Sequence, residues 1–122
     1  MPQNKKTLVV GATPNPTRYA FIASEMLQDY GQEIVLFGIK KGEINGHKIH
    51  NEWPENSNVN TNTMYINPCL QEQYYKEIIN SGAERIIFNP GTENSELSHL
   101  AKSKNIEVLN ACTLVLLRTN QY

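Results

Sequence analysis

The sequence lacks the features that mark secreted, membrane-spanning and nucleic-acid-binding proteins. It has only two cysteines, Cys69 and Cys112, without the spacing of a zinc site, so reduced thiols in a reducing compartment are expected. No apolar run approaches the ~20 residues of a membrane span, and residues 1–6 are polar, unlike a signal peptide. The formal net charge is -1, so no basic excess points to nucleic acid. These absences predict a small cytoplasmic protein.

Signatures of catalysis and metal binding are also missing. The sequence has no Gly-Lys-Ser/Thr phosphate loop, no G-x-S-x-G nucleophile elbow and no H-E-x-x-H zinc motif. His47 and His50 lie in a segment that is typical of a hairpin, where a spacing of three does not converge on a metal. Glu93, Glu96 and His99 are better explained as a solvated helix face than as an acid–base set. We therefore predict no metal site and no enzyme activity.

The chain does contain an alternation of short apolar runs and helical patterns. Such runs, rich in β-branched residues, are typical of strands buried on both faces of a parallel sheet. Strands are predicted at residues 8–10, 34–37, 64–66, 86–88 and 106–109, with helical patterns between them and a terminal helix at 114–117. The alternation predicts a Rossmann-like, doubly wound α/β fold. It would have about five parallel strands, with helices on both faces, in a single domain over residues 1–122.

Two segments interrupt this alternation. Residues 42–49 (GEINGHKI) contain an Asn-Gly pair, which indicates a tight turn where a crossover helix would otherwise be expected. Residues 51–63 (NEWPENSNVNTNT) are rich in Asn and Thr, and we predict an extended surface connection with Trp53 as its only anchor. Neither segment suggests a domain boundary.

The loop after the first strand has features of an anion site. Gly11 lets the backbone turn sharply and approach a ligand closely. The amides of Ala12 and Thr13, the Thr13 hydroxyl and the N-terminus of the next helix could together receive an anionic group. In a doubly wound fold, this loop lies where the strand order reverses and ligands bind. The loop is thus the first candidate for a binding site.

Two prolines and a cation complete this loop. Pro14 and Pro16 cannot donate hydrogen bonds, but they stiffen the loop, and Arg18 can form a bidentate phosphate contact. A dinucleotide loop would instead be small and glycine-rich, and its third glycine is missing here. A stiff connection without a ligand is the alternative explanation. The loop residues by themselves leave phosphate binding open.

The end of the second strand carries positive charge where NAD-binding domains carry an acidic residue. Those domains place Asp or Glu there to hold the ribose hydroxyls. Here Lys40 and Lys41 follow Phe37-Gly38-Ile39. Two lysines would attract an additional phosphate on the ribose, which fits NADP or coenzyme A with its 3′-phosphate. Two solvated lysines in a surface loop are the alternative.

Taken together, the motifs resemble those of the small stand-alone CoA-binding proteins. The fold of that family is similar to the CoA-binding domain of the succinyl-CoA synthetase α subunit. The resemblance covers nearly the whole chain and rests on VVGATPNPTRY, GIKKGEINGHKI, FNPGTENSEL and the late Cys112. The family opens with a Gly-Ala-Ser or Gly-Ala-Thr turn, a Pro two residues before an Arg, and the first helix. The matching residues here are Gly11, Ala12, Thr13, Pro16 and Arg18.

The resemblance implies a role for several groups of residues. Gly11, Ala12 and Thr13 would meet the CoA diphosphate, with Arg18 near it, and Lys40 or Lys41 would reach the ribose phosphate. The cleft would be completed by residues that follow the third and fourth strands: Asn67 and Pro68, where the pantetheine arm would pass, and Asn89, Pro90 and Gly91. The chain departs from the family in lacking a Val-Asn-Pro ending on its second strand and in its Asn-rich residues 51–63.

This resemblance implies a protein that binds coenzyme A or an acyl-CoA without turning it over. It would act as a carrier, a sensor or a regulatory partner, with no nucleic acid or membrane as partner. One alternative is an NADP-binding oxidoreductase of the Rossmann type, although no Tyr-x-x-x-Lys pair is present. Another is a scaffold domain with a vestigial nucleotide site.

Overall fold

A computed structural model describes residues 4–122, so the first three residues of the polar N-terminal segment lie outside the described part. Its helices and strands are, in chain order, β1 (Thr7–Val10), α1 (Tyr19–Asp29), β2 (Ile34–Phe37), β3 (Glu43–Ile44), β4 (His47–His50), β5 (Thr61–Met64), α2 (Pro68–Gln71), a 3-10 helix (Glu72–Tyr74), α3 (Tyr75–Ile79), β6 (Arg85–Phe88), α4 (Ser95–Ser103), β7 (Glu107–Asn110) and α5 (Thr113–Arg118). None of the helices in the described residues has the length and apolar character needed to cross a bilayer.

The seven strands form one sheet in the order β3-β4-β2-β1-β5-β6-β7. The five central strands, from β2 to β7, pair in parallel, as the sequence predicts. Two short strands add to this prediction: β4 joins β2 in parallel, and β3 pairs with β4 in an antiparallel hairpin. The Asn45-Gly46 pair turns this hairpin with φ angles of 47° and 85°. The order reverses beside β1, which has β2 on one side and β5 on the other.

Each face of the sheet is covered by helices and carries its own apolar core. Along β1, Leu8 and Val10 face one cluster and Val9 faces the other, as the two-residue period of a strand requires. The Leu8 side includes Ile78 of α3 and Leu97 of α4. The Val9 side includes residues of α1 and α5. Burial on both faces explains why β1, β2 and β6 read as largely apolar runs.

The predicted position of the third strand was wrong. The strand is Thr61–Met64, three residues before the predicted 64–66, and all four of its residues are buried. The Thr61 hydroxyl accepts a hydrogen bond from Arg85 Nε at 2.7 Å, and the hydroxyls of Thr63 and Thr113 lie 2.7 Å apart. Because partners elsewhere in the chain satisfy these hydroxyls, a polar segment can occupy the centre of the sheet.

The prediction of residues 51–63 as a surface connection anchored only by Trp53 was also wrong. The Asn51 side chain donates to two backbone carbonyls of the loop after β2. Val59 is buried in the core, and the last three residues of the segment belong to β5. Trp53 does pack against the core, so it is one of several anchors.

The helical segment between β5 and β6 is divided into α2, a 3-10 turn and α3. Pro68 occupies the first turn of α2, and the Asn67 side chain caps it by accepting from the Leu70 amide at 3.0 Å. The sequence predicts Leu70 on the same apolar helix face as Ile78. Ile78 is buried, but Leu70 is 44% exposed. The helix interruption changes the register, so Leu70 is available to the cleft described next.

Candidate functional site

A cleft of about 660 Å³ lies at the carboxyl ends of β1, β2, β5 and β6. In an open parallel sheet, ligands bind at this edge where the strand order reverses, and β1 lies at that point. Most of the site residues predicted from the sequence line this cleft: Gly11, Ala12, Thr13, Arg18, Lys40, Asn67, Pro90 and Gly91. The structure does not place Pro16, Lys41, Pro68 or Asn89 in its lining.

Close packing of three loops builds the floor of the cleft. A Cβ atom on Gly11 would lie 2.8 Å from Ile66 Cγ2, and the φ angle of Gly11 is +104°. A Cβ atom on Gly38 would lie only 2.3 Å from the carbonyl oxygen of Ala12. Both glycines are therefore required by the close approach of neighbouring loops. The loop after β1 is held between the loops that follow β2 and β5.

The Ala12 amide does not have the role predicted for it. It donates to the Phe37 carbonyl at 2.9 Å, so it fixes the loop rather than facing a ligand. The amides of Thr13, Tyr19 and Ala20 make no hydrogen bond to other described residues. Tyr19 and Ala20 begin α1, so their amides carry the partial positive charge of a helix N-terminus. The amides that are free to bind a ligand are therefore those of Thr13 and of the first two residues of α1, and not that of Ala12.

Local hydrogen bonds hold the segment between these amides in a fixed turn. The Asn15 amide donates to the Thr13 hydroxyl at 3.2 Å, and the Thr17 amide donates to Asn15 Oδ1 at 3.0 Å. The Arg18 amide donates to the Asn15 carbonyl at 3.1 Å. Such Asx-type bonds order a turn without help from the rest of the chain. The Thr13 hydroxyl, which accepts one of these bonds, still has its proton to donate.

The charge in the cleft is positive. Arg18 and Lys40 contribute the two cationic side chains of the lining, and no Asp or Glu is among the described residues that line it. Lys41 is exposed beside Lys40. The chain as a whole has a net charge of -1, so the cleft differs in sign from the average surface. This arrangement favours an anionic ligand.

Asn89 supports the floor of the site from beneath. Its side chain is buried and donates to the Thr63 hydroxyl at 2.7 Å and to the Met64 carbonyl at 2.8 Å. Its side-chain oxygen accepts from the Thr113 amide at 2.9 Å. One amide side chain therefore joins the ends of β5 and β6 to the start of α5. This full hydrogen bonding explains why Asn89 follows β6 without lining the cleft.

Gln71 joins two loops of the site and was not predicted from the sequence. Gln71 is fully buried, and its Nε2 donates to the carbonyls of Ile66 and Thr92, each at 2.8 Å. Its Oε1 accepts from Asn94 Nδ2 at 3.0 Å. A glutamine in a helical pattern is normally solvent-exposed, so no local signal could identify it. Gln71 fixes the distance between the loops after β5 and β6.

Apolar side chains form one wall and the mouth of the cleft. The ring of Phe37 contacts those of Trp53 and Tyr74 edge-on, with both centroids at 5.1 Å. At the mouth, Tyr19 is 71% and Ile39 82% exposed, although both are large apolar residues. Exposed apolar side chains around a cleft mark a surface that a ligand can cover.

The hydroxyl of Tyr65, another lining residue, lies in a buried environment. Burial raises its pKa above the ordinary value of 10.0, and contact with the Thr113 hydroxyl opposes this only in part. The neutral phenol is therefore strongly favoured in the folded state. The Tyr65 hydroxyl is therefore a neutral polar group and not a base.

We expect Tyr65→Phe to reduce the loss of stability at high pH. In the unfolded chain Tyr65 ionises near pH 10, whereas in the folded chain it stays neutral, so its contribution to stability is lost as pH rises above 10. Between pH 9 and pH 11, the free energy of unfolding of the variant should improve relative to wild type by about 1.4 kcal/mol. Urea unfolding at both pH values measures this. If the free energies of unfolding of variant and wild type differ by the same amount at pH 9 and pH 11, the Tyr65 hydroxyl is solvated in the folded protein.

No three His, Cys, Asp or Glu side chains within residues 4–122 are grouped so that they could hold a metal ion. Glu93 and His99 lie in a second, polar cleft of about 640 Å³ beside β7. Cys69 and Cys112 are both free thiols, the first exposed and the second half-buried.

Comparison with known proteins identifies related chains of similar length. The family model described as "CoA binding domain" matches residues 5–118. The crystal structure of an uncharacterized protein is 45% identical, with a TM-score of 0.96, over 98% of this chain and 99% of that chain. A hypothetical protein from Pyrococcus horikoshii OT3 is 25% identical, with a TM-score of 0.87, over 96% of this chain and 84% of that chain. No match was found among curated proteins.

A more distant likeness is found in part of a larger chain. The dinucleotide-forming acetyl-coenzyme A synthetase 1 of Ca. Korarchaeum cryptofilum, in complex with phosphate and ADP, is 17% identical, with a TM-score of 0.72. The match covers 88% of this chain but 25% of the synthetase chain. At this identity the likeness shows a shared fold. These comparisons confirm the predicted Rossmann-like α/β fold.

Proposed function

Since this chain belongs to the CoA binding domain family, we propose that it binds coenzyme A in the cleft at the carboxyl ends of β1, β2, β5 and β6. One observation carries the proposal. The cleft combines unpaired amide donors at the N-terminus of α1 with two cationic side chains and no carboxylate among the described lining residues. Coenzyme A has a diphosphate and a ribose phosphate, so its charge is complementary to this cleft.

The diphosphate would bind at the start of α1. The free amides of Thr13, Tyr19 and Ala20 and the Thr13 hydroxyl can donate to its oxygens, as amides do at other helix N-termini. Arg18 immediately precedes the helix and can add a charge-assisted contact. The rigid turn at Asn15 fixes these donors before a ligand arrives, which lowers the entropic cost of binding.

The ribose phosphate would bind at Lys40. This residue lies at the end of β2, where an acidic side chain would favour unmodified ribose hydroxyls. A lysine favours a phosphate there instead, which coenzyme A has on its 3′ oxygen. Lys41 lies outside the lining, so it would attract the phosphate only through the long-range effect of its charge. NADP also has a ribose phosphate, so this end of the cleft does not discriminate between CoA and NADP.

The pantetheine arm would pass Asn67 toward Pro90, Gly91 and Tyr65. An acyl group on the thiol would extend in the same direction, so the proposal includes acyl-CoA as a ligand. The lining contains no Cys, His, Asp or Glu among the described residues. Neither a thiol nucleophile nor an imidazole or carboxylate base is thus positioned beside the thiol end. We propose that the protein binds its ligand without turning it over, as a carrier, sensor or regulatory partner in the cytoplasm.

Mass spectrometry of ligand released from the freshly purified protein tests this proposal, followed by calorimetric titration of the ligand-free protein. We expect the mass of coenzyme A or an acyl-CoA in the first measurement and saturable CoA binding in the second. Release of NADP(H), or tighter binding of NADPH than of CoA, would replace the proposal by an NADP-dependent oxidoreductase. Binding of neither ligand would favour a scaffold with a vestigial site.

Arg18→Ala should weaken CoA binding by roughly 10- to 150-fold. A hydrogen bond to a charged group contributes about 1.5–3 kcal/mol, and Arg18 is exposed at the cleft, so the fold should survive the change. Calorimetric titration with CoA measures the effect. Arg118→Ala is the matched control, because Arg118 is an exposed arginine at the end of α5, outside the lining. An Arg18→Ala affinity within twofold of wild type would show that Arg18 does not contact the ligand.

A further inference from the structure

The loop that carries Lys40 is held by a side chain from outside the cleft. The side-chain nitrogen of Asn51, Nδ2, donates to the Gly38 carbonyl at 2.7 Å and to the Lys40 carbonyl at 2.9 Å. These carbonyls lie on either side of Ile39. Asn51 itself does not line the cleft. One side-chain amide therefore fixes both ends of the short segment that forms this edge of the site.

This side chain is the principal restraint on the segment. Among the described residues, no other side chain forms a hydrogen bond with residues 38–41. The Gly38 amide donates to the His50 carbonyl at 3.0 Å, which anchors the first residue only. Ile39, Lys40 and Lys41 are all exposed, so packing does not immobilise them. Without the Asn51 contacts, residues 39–41 would be held only at their flanks, by the Gly38 amide on His50 and by the Gly42 carbonyl, which accepts from the Ile49 amide at 2.9 Å. The backbone at Lys40 would therefore gain conformational freedom.

The segment that carries Asn51 also supports the aromatic side chains of the cleft lining. Two residues after Asn51, the Trp53 ring contacts Phe37 edge-on at 5.1 Å and stacks on Tyr74 at 6.2 Å. Both partners of Trp53 line the cleft. Asn51 and Trp53 thus restrain two neighbouring parts of the cleft lining, the loop that carries Lys40 and the rings of Phe37 and Tyr74, although neither residue lines the cleft itself.

We propose that Asn51 is a positioning residue that determines the preference of this site for a ligand with a ribose phosphate. By donating to both carbonyls, it holds the loop in the shape that presents Lys40 to the cleft. The inference deepens the proposed function and rests on it. Asn51 acts through Lys40 and does not touch the ligand, so its removal should affect only the part of the ligand that Lys40 binds.

The test compares CoA with dephospho-CoA in calorimetric titrations of wild type, Asn51→Ala and Asn51→Asp. Wild type should prefer CoA. Asn51→Ala should weaken CoA binding by about tenfold, because two hydrogen bonds that shape the loop are lost, and should leave dephospho-CoA binding within about twofold. Asn51→Asp keeps the size but replaces both donors by a carboxylate facing two carbonyls. It should lose the preference at least as completely as the alanine variant.

Limited trypsin digestion of ligand-free protein provides a second readout. Trypsin cleaves after Lys40 and Lys41, so release of the loop should accelerate cleavage there in both Asn51 variants. Asn51 is exposed, so neither variant should unfold the protein. Asn80→Ala is the matched control. Asn80 is an exposed asparagine at the end of α3 without a side-chain hydrogen bond to other described residues, and its variant should match wild type.

The outcomes separate this inference from the proposed function. Failure of wild type to bind CoA would overturn the proposed function and, with it, the selectivity assigned to Asn51. A wild-type preference for CoA that persists within twofold in Asn51→Ala would overturn the role of Asn51 alone. Equal losses of CoA and dephospho-CoA affinity would also overturn it, because they indicate general destabilisation. A lost preference together with faster cleavage at Lys40 would support it.

Discussion

Saturating coenzyme A should raise the melting temperature of this protein by about 10 °C. A ligand that binds only the folded state, at ~100 times its dissociation constant, adds about 2.7 kcal/mol to the free energy of unfolding. For a chain of 122 residues, each kcal/mol corresponds to roughly 4 °C. The expected shift requires no rearrangement, because the turn at Asn15 and the amides at the start of α1 are already in place. Scanning calorimetry with increasing CoA measures it.

Comparison ligands and a variant make this experiment specific. NADPH has a diphosphate and a ribose phosphate but no pantetheine, so at equal concentration it should give a much smaller shift. Arg18→Ala should reduce the shift at fixed CoA concentration, whereas Arg118→Ala should not. A clear shift with NADPH and none with CoA would contradict the proposed function and favour the oxidoreductase. A shift that does not depend on CoA concentration would contradict binding to a single site.

Local sequence patterns predicted most of the central sheet, because the segments around four of its strands contain short apolar runs. β5 is the exception. Its Thr61, Asn62 and Thr63 read as a polar loop, yet all three are buried. The hydroxyl of Thr61 is paired with Arg85, 24 residues away, and that of Thr63 with Thr113, 50 residues away. No short window of sequence contains these partners, so the burial of this segment could not be predicted from its composition.

The site was predictable where it depends on local motifs and not where it depends on long-range contacts. The turn from Gly11 to Arg18 is visible in the sequence, and most of its predicted residues line the cleft. The residues that hold the loops of the cleft in place without lining it were not predicted from the sequence. Gln71 and Asn51 reach backbone carbonyls up to 21 residues away, and neither residue type marks a site by itself. The hydrogen bond from the Ala12 amide to the Phe37 carbonyl likewise joins the loop after β1 to the end of β2, and the sequence does not show this contact.

The opposite edge of the sheet is held by a separate polar cluster. Arg85 is buried at the start of β6, and its guanidinium carbon lies 4.2 Å from the centre of the Tyr122 ring. The Tyr122 hydroxyl is hydrogen-bonded to Thr7, and its carbonyl accepts from Lys5 Nζ at 2.6 Å. These contacts fix the amino ends of β1 and β6. The sheet thus supplies a base for the loops at its carboxyl edge, which line the cleft.

Adding a single methyl group at position 38 should damage both the fold and the binding site. In Gly38→Ala, the new Cβ atom would lie 2.3 Å from the Ala12 carbonyl oxygen, whereas ordinary contacts begin near 3.4 Å, so one loop must move by about 1 Å. Neither loop can move freely. Gly38 is hydrogen-bonded to His50 and Asn51, and Ala12 to Phe37. We expect a loss of about 1–3 kcal/mol in the free energy of unfolding.

The same displacement should reduce CoA affinity, because Ala12 directly precedes Thr13, which provides donors to the proposed diphosphate site. Gly46→Ala is the control that separates this effect from a loss of stability alone. Gly46 has a φ of +85° with no atom near its added Cβ, whereas Gly38 lies outside the left-handed region. Gly46→Ala should therefore cost about 1–2 kcal/mol through backbone strain alone, in a hairpin turn outside the cleft lining. Urea unfolding and CoA titration should show two destabilised variants, of which only Gly38→Ala binds CoA more weakly. Wild-type affinity in Gly38→Ala would show that contact between the two loops does not shape the site.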